Sequence, residues 1–79
     1  MYSSDYIYNI LKRGISIVTF NKIDGSVRTM RCTLNDDYLP DQYRGKTMVT
    51  EDIQTMRVFD VDVGQWRSFR IESVTSVQE

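Results

Sequence analysis

The feature that most limits what this chain can fold into is the run Met56 to Val74. Apolar and charged residues interleave there at close to a two-residue period, the signature of strands with one buried face. Asp62-Val63-Gly64-Gln65 interrupts the run as a tight turn. A third strand is therefore expected over Thr55 to Val61 and a fourth over Trp66 to Ile71. On the fourth, Arg67, Phe69 and Ile71 share one side, and Trp66, Ser68 and Arg70 share the other. Phe69 and Ile71 are expected in the core. The run holds the only Trp, two of the three Phe and three of the seven Arg. The same ribbon can thus build a core and present a cationic face.

A hairpin of similar length precedes it. Ile15 to Lys22 is rich in β-branched and aromatic residues, Asp24-Gly25 supplies the turn, and Ser26 to Leu34 returns. Alternation sets Met30, Cys32 and Leu34 on a buried side, with Arg28 near the wet turn. Val27, Thr29, Arg31 and Thr33 take the other side. Upstream, Ser3-Ser4-Asp5 offers N-caps, and Tyr6, Ile7, Ile10 and Leu11 follow at helical spacing. Lys12 and Arg13 suit the negative end of the helix dipole, and Gly14 suits the position after it. A short helix over about 4–13 is expected to plug one end of a sheet or barrel. Tyr2 should stack on Tyr6, and Tyr6 should join the packing.

Residues 35–54 are irregular, because Asn35-Asp36-Asp37, Pro40 and Gly45 break any period. A short strand around Lys46 to Val49 fits this loop, and Tyr38, Leu39 and Tyr43 are expected to pin it. Glu72-Ser73-Val74 reads as one 3₁₀ turn before a closing strand at about 74–78. One helix and about five short strands leave exposed edges unless the sheet curls. The expected fold is a mainly β, small five-stranded SH3-like (Sm-like) barrel with an N-terminal α-helix, one domain over 1–79.

Ten basic and eleven acidic residues give a net charge of −1. That argues against attachment to nucleic acid by bulk charge and leaves room for a local arginine patch. One cysteine and no histidine exclude a disulfide framework, a Cys/His zinc cluster and a His-activated nucleophile. A non-enzymatic protein without cofactor is expected. Asp60 and Asp62 could share a hard cation at alternate strand positions. Turn formation by Asp62, and pairing of Asp60 with Arg70 or Arg67, is the better account, so no metal is expected. No apolar segment nears the roughly 20 residues that span a bilayer, and the first residues lack a signal-peptide pattern. A cytoplasmic protein with no membrane contact is expected.

Three motifs follow in order. They are Val18-Thr19-Phe20-Asn21-Lys22-Ile23-Asp24-Gly25, Met30-Arg31-Cys32-Thr33-Leu34, and Val58-Phe59-Asp60 with Gln65-Trp66-Arg67-Ser68-Phe69-Arg70-Ile71. Over most of residues 15–75 the chain resembles small phage-encoded WYL-like proteins with an Sm-like β-barrel fold. The last motif is also similar to the closing hairpin of the WYL domain of bacterial transcriptional regulators. The Trp-Tyr-Leu tripeptide of that domain is absent here, and Glu72-Ser73 stands where Asp-Arg is usual. The resemblance implies a binding or regulatory module, working in the host cytoplasm if phage-encoded.

Trp66, Ser68 and Arg70 share a face on which an indole can stack a planar ring and a guanidinium can hold a phosphate. Arg57 on the neighbouring strand and Arg67 at the strand mouth extend it, and Arg31 points outward. Arg57, Trp66, Arg67, Arg70 and Arg31 are therefore the candidate residues for nucleic acid or another phosphate-bearing ligand. The plainer account has Trp66 covering the barrel end beside the helix, with the arginines paired to Asp60, Asp62 and Glu72. A different class of function also fits the five tyrosines. It is a protein-interaction module that binds a host protein, or forms a homo-oligomer, through the tyrosine-rich helix, the 35–55 loop or a sheet edge.

Overall fold

The computed structural model describes residues 2–44 and 54–79. Helix α1 spans Ser4–Arg13 and is capped by Ser3, whose Oγ accepts the Tyr6 N–H at 3.2 Å. It buries Ile7, Ile10 and Leu11, the residues one helical turn apart. Strands β1 (Ile15–Asn21) and β2 (Val27–Thr33) pair antiparallel in register from Ile15↔Thr33 to Asn21↔Val27. Their turn closes by Lys22 N–H to Ser26 O at 2.7 Å and Gly25 N–H to Lys22 O at 2.9 Å. Gly25 has φ of 89°, which a side chain would strain.

Two 3₁₀ turns follow, Asp36–Tyr38 and Asp41–Tyr43. The strand expected around Lys46 to Val49 lies outside the described residues. Strands β3 (Thr55–Asp60) and β4 (Gln65–Arg70) form the second hairpin, from Thr55↔Arg70 to Asp60↔Gln65. Its loop occupies residues 61–64, one position earlier than expected, because Asp60 anchors it. Gly64 N–H donates to Asp60 O at 2.8 Å, and Gly64 takes φ of 75°. The 3₁₀ turn Ile71–Ser73 leads into β5, Val74–Gln78.

One five-stranded antiparallel sheet results, in the order β4-β3-β2-β1-β5. In strand register the hairpins pair at Cys32↔Asp60 and Thr33↔Phe59, with Val61 N–H to Arg31 O at 3.0 Å beside them, so β3 and β4 depart from the first hairpin after two register pairs. A bulge between Thr19 and Phe20 bends β1 where it meets β5. The inner faces of both hairpins meet the helix stripe. Val18, Phe20, Met30, Cys32, Leu34, Met56, Val58, Phe69, Ile71 and Val74 pack with Ile7 and Leu11. No helix among the described residues is long and apolar enough to cross a membrane.

Two expectations are corrected. Thr33, assigned by alternation to the outer side, is fully buried because the end of α1 lies over it. Its hydroxyl donates to Gly14 O at 2.8 Å, with Leu11 O at 3.3 Å, and accepts Asn35 N–H at 3.0 Å. Asn35 adds a bond from Nδ2 to Lys12 O at 2.9 Å. These side chains take up carbonyls that a helix C-terminus leaves unpaired. Thr33→Val should therefore lower unfolding free energy by about 1–3 kcal/mol, since it strands buried partners. Chemical denaturation of the two proteins measures this. The second correction is Tyr6. One residue step turns a helix by about 100°, and that carries Tyr6 from Ile7 to the edge of the stripe. Tyr6 is 51% exposed, and its ring stacks on Tyr2 at 5.8 Å. Tyr8 packs against the core instead.

Candidate anion-binding groove

Inward-facing positions near the barrel mouth hold charges rather than apolar residues. Arg28 continues the inner row of Met30 and Cys32 on β2. Asp60 continues that of Met56 and Val58 on β3, and Arg67 that of Phe69 on β4. Asp60 is only 3% exposed. Its Oδ1 accepts the N–H groups of Asp62 at 3.1 Å and Val63 at 3.2 Å, which fixes the turn. Its Oδ2 lies 3.7 Å from Arg28 Nη2 and 3.6 Å from Arg67 Nε. One carboxylate thus faces two guanidinium groups. Both contacts are ion pairs too long to be hydrogen bonds.

The two arginines of this triad line an open groove of about 970 Å³ between β4 and the tip of the first hairpin, with Asp60 behind them. Among the described residues Lys22, Arg28, Arg67 and Arg70 line it, against one carboxylate, that of Asp24. The Ser26 hydroxyl at 2.6 Å and N–H at 2.9 Å, helped by the charge of Lys22, hold the Asp24 carboxyl below its ordinary pKa. Phe20 and Phe69 form an apolar part of the wall and stack on each other at 5.4 Å.

The structure divides the five residues singled out by sequence. Trp66, Arg67 and Arg70 line the groove. The indole packs edge-on against Phe59 at 5.5 Å and Tyr43 at 5.6 Å. Its neighbour is thus the Asp41–Tyr43 turn, not the helix expected beside it. Arg57 lies over the Trp66 ring at 5.6 Å. Arg31 stands apart, paired with Asp62 at 2.9 Å. Arg70 pairs with Glu72 at 3.6 Å, so of the two arginines expected on Asp60 only Arg67 is there. Arg28 and Lys22 were not among the five. The signal for Arg28 was its place in an apolar inward row, which calls for an inward counter-charge, and Asp60 occupies the matching place on β3.

Cys32, the register partner of Asp60, is fully buried. Burial, and secondarily the Asp60 charge, push its thiol pKa up to about 12 from 9.0. A raised pKa means the contribution to stability is complete below the unfolded thiol value and is lost as pH climbs toward the folded one. Relative to Cys32→Ala, wild-type stability should fall as pH rises above about 9, by at most about 1.4 kcal/mol per pH unit. Denaturation curves across that range measure it. Among the described residues no cluster of three or more His, Cys, Asp or Glu is placed to hold a metal ion.

A curled five-stranded sheet with an N-terminal helix and a cation-lined mouth defines a small barrel of the SH3 type. The chain belongs to the WYL_2 family, of Sm-like SH3 beta-barrel fold, which matches residues 5–75. A relative from Enterobacteria phage T4, named "Uncharacterized 11.5 kDa protein in Gp31-cd intergenic region", is 40% identical over 70 residues. The match covers 85% of this chain and 69% of that protein. No solved structure matches the chain.

Proposed function

We propose that this protein is a small non-enzymatic binding module with a regulatory role, and that it takes a phosphate-bearing ligand, nucleic acid foremost, in the groove. Arg67 and Arg70 carry the recognition with Arg28 and Lys22. The observation behind this reading is that cations from two separate hairpins line one groove, with one carboxylate among its described lining residues. Local concentration of positive charge compensates for the near-neutral whole, because phosphate contacts act within a Debye length of about 10 Å. Trp66 lines the groove as well, with Arg57 over its ring. Binding there should be electrostatic and only weakly base-selective. Fluorescence anisotropy with labelled single-stranded DNA and RNA 20-mers, at about 50 mM salt, tests it. Binding on the order of micromolar is expected, weakened several-fold by Arg70→Gln with unchanged denaturation. No binding of either strand at that salt contradicts the reading.

A second reading has one specific observation in its favour. Among the described residues β4 and β5 are the outermost strands of the sheet, so each can extend pairing to another chain. Self-association or host-protein binding through these edges would appear as a mass above the monomer in light scattering or as a retained partner. A strictly monomeric mass and no partner oppose it.

A further inference from the structure

We propose that Arg28 and Arg67 form a seat for one phosphoryl group, and that Asp60 is the built-in counter-ion that limits how tightly the seat holds it. The inference rests on the groove reading above and assigns that site its atoms. Asp60 cannot swing to satisfy its arginines, because Oδ1 is committed to the N–H groups of Asp62 and Val63. Oδ2 therefore stops 3.7 Å from Arg28 and 3.6 Å from Arg67. At those distances it orients both guanidinium groups without accepting a hydrogen bond. Arg67 Nε is buried with no hydrogen-bond partner, whereas buried N–H groups are nearly always paired. Neither guanidinium donates a hydrogen bond to a described residue, so both forks retain their donors.

The charges agree with this geometry. One carboxylate against two guanidinium groups leaves a positive charge, and Lys22 and Arg70 add theirs along the same groove. A phosphoryl group offers several acceptor oxygens and bridges two forks where a single carboxylate oxygen falls short. The rings nearby are already engaged. Phe20 stacks on Phe69, and Trp66 meets Phe59, Tyr43 and Arg57. Base stacking therefore adds little, and the seat reads the phosphoryl group itself, whether a terminal phosphate or a backbone diester. Asp60 keeps the site poised in the free protein and opposes any anion that enters.

Asp60→Asn separates these roles, since its amide oxygen can still accept both turn N–H groups while the charge is gone. The test follows arginine Nε–Hε signals by NMR during titration with inorganic phosphate. In the wild type the Arg28 and Arg67 signals should shift together along one binding curve, with Arg13 and Arg31 moving much less. Asp60→Asn should tighten phosphate binding about tenfold, roughly the effect of removing one partly screened charge at this range. Adding Arg67→Gln should abolish the gain. Parallel titrations with 5′-phosphorylated and 5′-hydroxyl oligonucleotides assign the source. Preference for the former marks a terminal phosphate and equal binding marks the backbone, and either supports the seat. Arg28 and Arg67 signals that stay still in the wild type overturn the proposal, even if Asp60→Asn fails to fold. So does an Asp60→Asn protein that folds and binds no tighter. If oligonucleotides still bind and Arg70→Gln weakens them, the groove reading survives that loss. If neither protein binds any phosphate-bearing probe, both fall.

Discussion

Phe69→Ala should lower unfolding free energy by about 3–5 kcal/mol, the range for emptying a well-packed phenylalanine site. Phe69 is 4% exposed, stacks on Phe20, and joins β4 to the core that β1, β2 and α1 build. A chain of this length holds about 4–12 kcal/mol in total. The variant should therefore be largely unfolded, or melt far below the wild type. The loss has two parts. The ring's transfer term disappears, and the residual cavity stays open because Phe20 and the backbone on either side cannot close over it. Phe69→Leu, which keeps most of the volume, should retain the fold and recover most of the loss. Far-ultraviolet circular dichroism through a denaturant titration separates the three proteins. A Phe69→Ala protein as stable as wild type would mean the second hairpin is not docked where the structure puts it.

Asp60→Ala is the other large effect, about 2–3 kcal/mol of destabilisation. Truncation leaves two guanidinium groups facing each other without their shared anion, and it orphans the N–H groups of Asp62 and Val63. Water reaches the side chains of Arg28 and Arg67, which are 33% and 37% exposed. That screening keeps the cost below the 3–5 kcal/mol of a fully buried broken pair. Asp60→Asn should lose only about 1 kcal/mol, because the turn acceptor survives. The gap between the two variants then measures the turn cap, and the Asn loss measures the ion pairs. Raising salt should narrow the difference between wild type and Asp60→Asn, since screening weakens the pairs and not the cap. Equal losses in the two variants would contradict this division of labour.

Local pattern sufficed for the fold because each hairpin carries its own instructions. Asp24-Gly25 and Val63-Gly64 mark turns in which glycine takes positive φ, and inward rows such as Met30-x-Cys32 and Met56-x-Val58 set the buried face. The site was less legible. Side assignment by alternation correctly put Arg67 with Phe69, but it could not say that Arg28, nearly forty residues earlier, would face the same carboxylate. That meeting depends on how the two hairpins cross, and their strand register covers just Cys32↔Asp60 and Thr33↔Phe59. The surroundings of Trp66 were illegible for the same reason. Its cover comes from Tyr43, in a segment without periodicity to position it. Thr33 shows the complementary limit, since a strand period describes two faces of a sheet and not a helix laid over its end.

The measurement that bears most directly on the groove is the salt dependence of single-strand binding in wild type and in Arg28→Gln/Arg67→Gln. Each backbone phosphate contact contributes about 0.7 to the slope of log affinity against log salt for single strands. If two guanidinium groups from different hairpins hold the ligand, the double variant should bind more weakly and its slope should flatten by about 0.7–1.4, with the outer value reached if each meets its own phosphate. An unchanged slope and affinity, in a variant that remains folded, would place the ligand somewhere other than this groove.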